Sequence, residues 1–240
     1  MSMREIVSRE DWLAARKALL AREREVTHMQ DQLSAERRAL PWVHVDKDYR
    51  FDTPGGQATL DDLFEGRSQL IVYHFMLTPG SEHICEGCAF VSDHVDAARQ
   101  HFEHNDLSFV AISRVPLDRI EAVRGRMGWK FNWVSSANSS FNFDFGVSFT
   151  KEQVASGDVG YNFGTTRFAH EDLHGLSVFA REGGEVFHTY STYARGVDVL
   201  LGAHNFLDLT PKGRNEKGTM DWVRLHDEYE NAPAVHASCG

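Results

Sequence analysis

The sequence predicts an α/β fold built on a sheet with parallel members, and three observations carry that expectation. Residues 70–75 and 107–113 are nearly continuous apolar runs rich in β-branched and aromatic side chains, which suits strands covered on both faces. Helical patterns follow them at 88–102 and 117–127, and a further short strand at 133–136 completes a strand, helix, strand, helix, strand order, the pattern of βαβ units. Two thiols, Cys85 and Cys88, stand between the first of these strands and its helix. Ligands in such folds gather beyond the carboxyl ends of the strands, and the cysteines lie immediately past one such end.

The elements follow in order. Residues 8–39 read as one long helix, on the order of 45 Å at about 1.5 Å per residue. Ser8 is a plausible N-cap, Glu10 and Asp11 place acid in the first turn, and Pro41 marks the far end. Trp12, Leu19, Val26 and Leu33 recur at heptad spacing, but Arg22 and Glu36 interrupt the second seam position. The stripe suits packing along the domain or against a second subunit. Residues 42–45 and 49–51 alternate as short strands, and Pro54-Gly55-Gly56 makes a turn. A helix runs from Cys88 through Phe102, and Pro116 opens another that ends near Gly128. Phe141, Phe143, Phe145, Val147 and Phe149 alternate with polar residues, as in a half-buried strand or flap. Residues 176–180 and 185–190, joined through Glu182-Gly183-Gly184, form the clearest hairpin. A helix is expected over 197–206 and a terminal one over 220–229.

Length and composition narrow the function classes. At 240 residues the chain suits one main domain with additions. A net charge of −10 disfavours nucleic acid and anionic membrane as partners, since both require a basic footprint. No secretory signal and no long apolar span is evident, so a cytoplasmic protein is expected. Three cysteines are too few for a structural disulfide framework. In a reducing compartment a close pair is redox-active or metal-binding more often than a staple.

A helix N-terminus lowers a thiol's pKa by presenting unpaired N–H groups and partial positive charge, and Cys85 has that placement. Cys88, one turn further on the same side, could resolve a mixed disulfide formed at Cys85. Glu86 opposes thiolate formation, whereas a protonated His83 would favour it. The rival chemistry is metal binding through His83, Cys85, Cys88 and His94; a third alternative is a pair with no retained activity. No serine triad, dinucleotide fingerprint or phosphate loop is visible, and no cofactor is indicated.

Particular stretches then resemble a known group. Residues 52–56 and 60–67, followed by a strand and Cys-x-x-Cys, resemble the entry into thioredoxin-like and peroxiredoxin-like domains. Trp12 to Arg16, Ser34 to Trp42, Tyr73 to Met76, Arg126 to Trp129, Phe143 to Phe149, Phe187 to Gly196 and Asp208 to Arg214 are more specific. They are similar to the bacterial thioredoxin-like family catalogued as domain of unknown function 899. The resemblance implies a thioredoxin-like sandwich, a central mixed sheet flanked by helices, with Cys85 and Cys88 at the position of the thioredoxin active pair. It brings no established activity with it. Here Ile84 precedes Cys85, and Glu86-Gly87 fill the gap between the thiols. Leu173-His174-Gly175 stand where thioredoxins keep a cis-proline, and Glu82 occupies the threonine position of the peroxiredoxin motif. His174 thereby joins His83 and Glu86 as a candidate for thiol tuning or substrate contact.

The expectation is an N-terminal helical arm over 1–40, a thioredoxin-like domain over 41–210 and a tail with a short helix over 211–240. The leading function is thiol-disulfide oxidoreduction on a protein or small-molecule disulfide, with Cys239 an additional resolving thiol or a free one. The alternatives are a non-catalytic binding or assembly module, homodimeric through the long helix, and a His/Cys metal-binding module.

Overall fold

The computed structural model describes residues 5–231, so Cys239 lies outside the described residues. The chain divides into two units after Pro41.

The first unit is helix α1 (Arg9–Arg38). The Ser8 hydroxyl oxygen accepts from the Asp11 amide at 3.1 Å, satisfying one of the donors that a helix start leaves unpaired. Glu10 and Asp11 in the first turn and Arg37 and Arg38 in the last complement the helix dipole. No residue of α1 is buried; Trp12, Leu19, Val26 and Leu33 remain 47%, 50%, 48% and 47% exposed.

The second unit opens with β1 (Val43–His44), β2 (Arg50–Thr53) and β3 (Gly56–Thr59), then a 3-10 turn (Asp62–Phe64) leads into β4 (Gln69–His74). After β4 come α2 (Glu86–Asp93), α3 (Val95–His104), β5 (Leu107–Ser113), α4 (Leu117–Met127) and β6 (Asn132–Ser135). Two short helices, α5 (Phe141–Asp144) and α6 (Lys151–Ser156), precede the hairpin of β7 (Gly175–Glu182) and β8 (Glu185–Tyr193). A 3-10 segment (Ala194–Leu200), α7 (Gly202–Asp208) and a last 3-10 turn (His226–Asn231) complete the described chain.

One sheet runs in the order β1-β8-β7-β4-β5-β6-β2-β3. β4 pairs in parallel with β5, and β5 with β6, while β7 lies antiparallel on the other side of β4. A helical crossover from β4 to β5, followed by an antiparallel hairpin laid against β4, is the thioredoxin-like topology, here extended by a strand at one edge and a β2–β3 hairpin at the other. Two cores explain why β4 and β5 lack polar alternation: Leu70, Val72, Val110 and Ile112 pack on one face, and Tyr73, Phe109 and Ala111 on the other.

Four local expectations need correction. The helix expected from Cys88 to Phe102 is broken at His94. Its Nδ1 takes the Phe90 carbonyl at 2.7 Å, the acceptor that its own amide would use in an unbroken α-helix, so that amide turns to the Val91 carbonyl instead. Phe141 to Phe149 is no strand. Phe141 and Phe145, four residues apart, share one side of a helical turn with ring centroids 4.5 Å apart, while the Val147 and Ser148 amides both return to the Asn142 carbonyl. The helix expected over 197–206 starts as a 3-10 segment and becomes α-helical only after Leu201, whose ψ of 78° interrupts it. The terminal helix reduces to a 3-10 turn; Val223 and Leu225 instead bury themselves in the core on the cysteine side.

Candidate functional site

β4 ends at His74, and a turn around Pro79-Gly80, closed by the Ser81 amide on the Thr78 carbonyl at 3.0 Å, delivers the chain to Cys85. Cys85 is the N-cap of α2: its backbone is extended, its carbonyl accepts from the Ala89 amide at 2.9 Å, and its Sγ accepts from the Cys88 amide at 3.2 Å. A sulfur here occupies the place where a serine or aspartate oxygen would cap the helix, so the negative charge of a thiolate is met by backbone N–H groups.

The two thiols are consequently unequal. The Cys85 thiol is held below the ordinary range, first by a hydrogen bond from the Cys88 side chain and then, against the opposing effect of burial, by the Cys88 and Gly87 amides; Glu86 works in the other direction. Cys88 is 1% exposed. Burial pushes its thiol well up, and the hydrogen bond to Cys85 and the Cys85 charge push the same way. The pair therefore shares its first charge at Cys85.

The other anticipated residues separate into three groups. His83 and Glu86 sit together on the exposed surface and do not line the cavity, His83 Nε2 lying 3.8 Å from Glu86 Oε2. His174 is in the wall of the cavity that holds the thiols, where its Nε2 meets the Ala194 carbonyl at 3.1 Å and burial lowers its pKa, keeping the imidazole neutral. His94 does not join the cysteines: Nδ1 is used on Phe90 and Nε2 accepts from the Ala203 amide at 3.0 Å. Among the described residues no group of three or more His, Cys, Asp or Glu side chains is placed to hold a metal ion. Among the described residues, His83, Cys85, Cys88 and His94 are therefore not gathered into a ligand set, and both ring nitrogens of His94 are already used.

The cavity has a volume of about 400 Å³. Both thiols line it, together with Tyr73 from β4, Met76 just beyond β4, Tyr161, His204 from α7, and Met220. Sequence reasoning missed these residues. Tyr73 was legible in principle, since it points to the Phe109 and Ala111 side of the sheet. Met220 carries no local signal, because only the folding of the C-terminal segment across α2 brings it there. The Tyr73 hydroxyl is buried, with the Cys88 thiol as its neighbour and no oxygen or nitrogen partner. Tyr161 instead is fully used: its hydroxyl donates to the His174 carbonyl and accepts from the Ala194 amide, tying together two stretches of the wall.

A family model described as a bacterial protein of unknown function, DUF899, matches residues 1–229. No curated protein matches the chain. Similar solved structures include a bacterioferritin comigratory protein of Xanthomonas campestris described for its alkyl peroxide reduction activity, at 16% identity, with 68% of this chain and 96% of that one covered and a TM-score of 0.45. They also include peroxidoxin BcpB of Mycobacterium tuberculosis, at 15% identity over 68% and 94% of the two chains with a TM-score of 0.45. A hypothetical protein of Sinorhizobium meliloti 1021 is similar at 15% identity over 63% and 70%, with a TM-score of 0.42.

Proposed function

The chain belongs to the DUF899 family of bacterial proteins, and we propose that it is a thiol-disulfide oxidoreductase in which Cys85 is the nucleophile and Cys88 the resolving thiol. The inequality of the two thiols carries this assignment: the accessible one is the helix cap whose pKa is lowered, and the buried one is pushed up.

The same inequality supplies the order of events. The Cys85 thiolate attacks one sulfur of a disulfide R–S–S–R′, forming Cys85–S–S–R and releasing R′–S⁻. With Cys85 bonded and uncharged, two of the three influences that raise the Cys88 thiol disappear, its hydrogen bond to Cys85 and the Cys85 charge. Cys88 then yields its proton to the departing thiolate, attacks Cys85 Sγ and expels R–S⁻. The protein is left with a Cys85–Cys88 disulfide, and an external dithiol reduces it. Both thiols are free in the structure, as the reduced half of the cycle requires. A reducing cytoplasmic setting suits this cycle, and among the described residues no helix is long and apolar enough to cross a membrane.

Cys85→Ser is expected to abolish disulfide reduction, with a loss of up to about 10⁶-fold, the scale of a removed nucleophile, while Cys88→Ser accumulates Cys85 mixed disulfides detectable by mass spectrometry. Full activity in Cys85→Ser overturns the assignment.

One observation favours a second role alongside it. Helix α1 carries Trp12, Leu19, Val26 and Leu33 at heptad spacing along one side, so two copies pairing along it would cover that stripe as a homodimer. Light scattering that returns a monomer removes this assembly role.

A further inference from the structure

We infer that the cavity beside Cys85 selects a compact, uncharged organic disulfide as the substrate of the dithiol, an inference that rests on the oxidoreductase assignment above. The volume of about 400 Å³ falls within the range of roughly 300–1,000 Å³ typical of small-molecule sites. Its walls are apolar and partly pliable. Met76, Val91, Leu173, Leu201 and Met220 line it, and Met76 Sδ lies 3.9 Å from Cys85 Sγ. Gly87 keeps open the space directly beside the reacting sulfur: a Cβ there would stand 4.0 Å from Cys85 Sγ and 3.7 Å from Met220 Sδ.

The charges around the cavity disfavour an anionic occupant. Two cations and two anions line it, Arg195, Arg214, Asp198 and Glu216. Arg195 pairs with Asp198 at 2.9 Å, Arg214 with Asp208 at 2.7 Å, and Glu216 accepts from the Trp222 indole at 3.3 Å. Both arginines that line it already have carboxylate partners, so an anionic disulfide would have to compete with those partners beside an otherwise apolar wall. A protein disulfide fares badly for a different reason. Its sulfurs would have to reach a half-buried Cys85 down a cavity sized for one small body, and residues 173–175 offer no proline on which a substrate backbone could dock. The chemistry is the exchange written above, with R and R′ as the two halves of the small disulfide; it yields two thiols and the Cys85–Cys88 disulfide, which an external dithiol reduces.

Dipyridyl disulfide, neutral near neutral pH, and dithiobis(nitrobenzoate), a dianion of similar build, test this directly. The kcat/KM for each is divided by its rate with free cysteine, so that intrinsic reactivity cancels. The neutral probe should be favoured by about tenfold or more, and insulin should be a poor substrate on the same scale. Gly87→Val, which fills the space beside the sulfur, should lower kcat/KM for dipyridyl disulfide by about tenfold. Bis(pyridyl)ethane, the sulfur-free analogue, should inhibit competitively in the unaltered protein, an arm that does not depend on any variant folding. Equal normalised rates for the neutral and anionic probes, insulin reduction as efficient as that of dipyridyl disulfide, or the lack of competitive inhibition each overturn the inference and leave the dithiol reaction standing. A protein that reduces none of the three disulfides overturns the oxidoreductase assignment itself.

Discussion

Tyr73 and His74 are neighbours on β4, each 1% exposed, and they face opposite sides of the sheet. His74 belongs to a sealed region. Its Nε2 meets Ser177 Oγ at 3.0 Å, Ser177 Oγ meets Ser191 Oγ at 2.9 Å, and Ser191 Oγ meets His188 Nε2 at 2.7 Å, so one polar chain stitches β4, β7 and β8 together. The His74 ring stacks on Phe141 and Phe145, with centroids 5.6 and 6.0 Å away. Tyr73 lies beside an open volume, with two thiols for neighbours and no oxygen or nitrogen partner for its hydroxyl. Buried polar groups that bond across strands hold a fold; a buried hydroxyl that lines a cavity beside two thiols is placed to act on them.

His74→Ala should produce the largest effect on this contrast. It opens a void against Phe141 and Phe145 and leaves Ser177 without its imidazole, which amounts to about 3–5 kcal/mol of lost stability in chemical denaturation. The rate at which Cys85 is alkylated in the folded fraction should not change. A loss below about 1 kcal/mol, or an altered alkylation rate, would erase the distinction between the two faces. The same residue governs acid stability. Burial pushes the His74 pKa from 6.5 down to about 3. On acidification the unfolded chain therefore takes up this proton first: the contribution is complete above pH 6.5 and is lost as pH falls toward about 3. His74→Phe, which cannot be protonated, should flatten that decline, and an unchanged slope would assign it to other groups.

Much of the cysteine side could be read from the chain because it depends on local patterns. Residues 70–75 declare a buried strand, the turn residues 78–81 declare its end, and two thiols at the start of an apolar-periodic stretch declare a helix cap. His174 came into view only through the resemblance, as the residue standing where a proline is usual, and it does line the cavity. The break at His94 was not legible, because it depends on an imidazole taking the Phe90 carbonyl while being held from the far side by Ala203. Phe141 to Phe149 misled for a related reason. Aromatic residues at alternate positions also place Phe141 and Phe145 one helical turn apart, and the packing under His74 decided between the two periods. Closeness in sequence does not by itself gather ligands: His83, Cys85, Cys88 and His94 lie within a dozen residues, yet among the described residues no three such side chains are placed together, and both ring nitrogens of His94 are used on Phe90 and Ala203.

Tyr73→Phe is the smallest change and the most discriminating one. Removing a buried hydroxyl that has no oxygen or nitrogen partner leaves no new orphan group behind, so stability should stay within about 1 kcal/mol of the unaltered protein. The effect falls on Cys88 instead. The Tyr73 hydroxyl lowers the Cys88 thiol pKa, against burial and the Cys85 charge, and the thiols in turn push the tyrosine up. A hydroxyl donor set beside Cys88 contributes most when Cys88 becomes a thiolate, which is the moment of resolution. In Tyr73→Phe that thiolate loses this side-chain donor. The first attack by Cys85 should keep its rate, while the Cys85 mixed disulfide should persist about tenfold longer, on the scale of one hydrogen bond to a charged group. Stopped-flow release of the first and second thiol separates the two steps. If both slow equally, Tyr73 is a packing residue of the cysteine-side core; if only the second slows, the open face of β4 is where the resolving thiol is tuned.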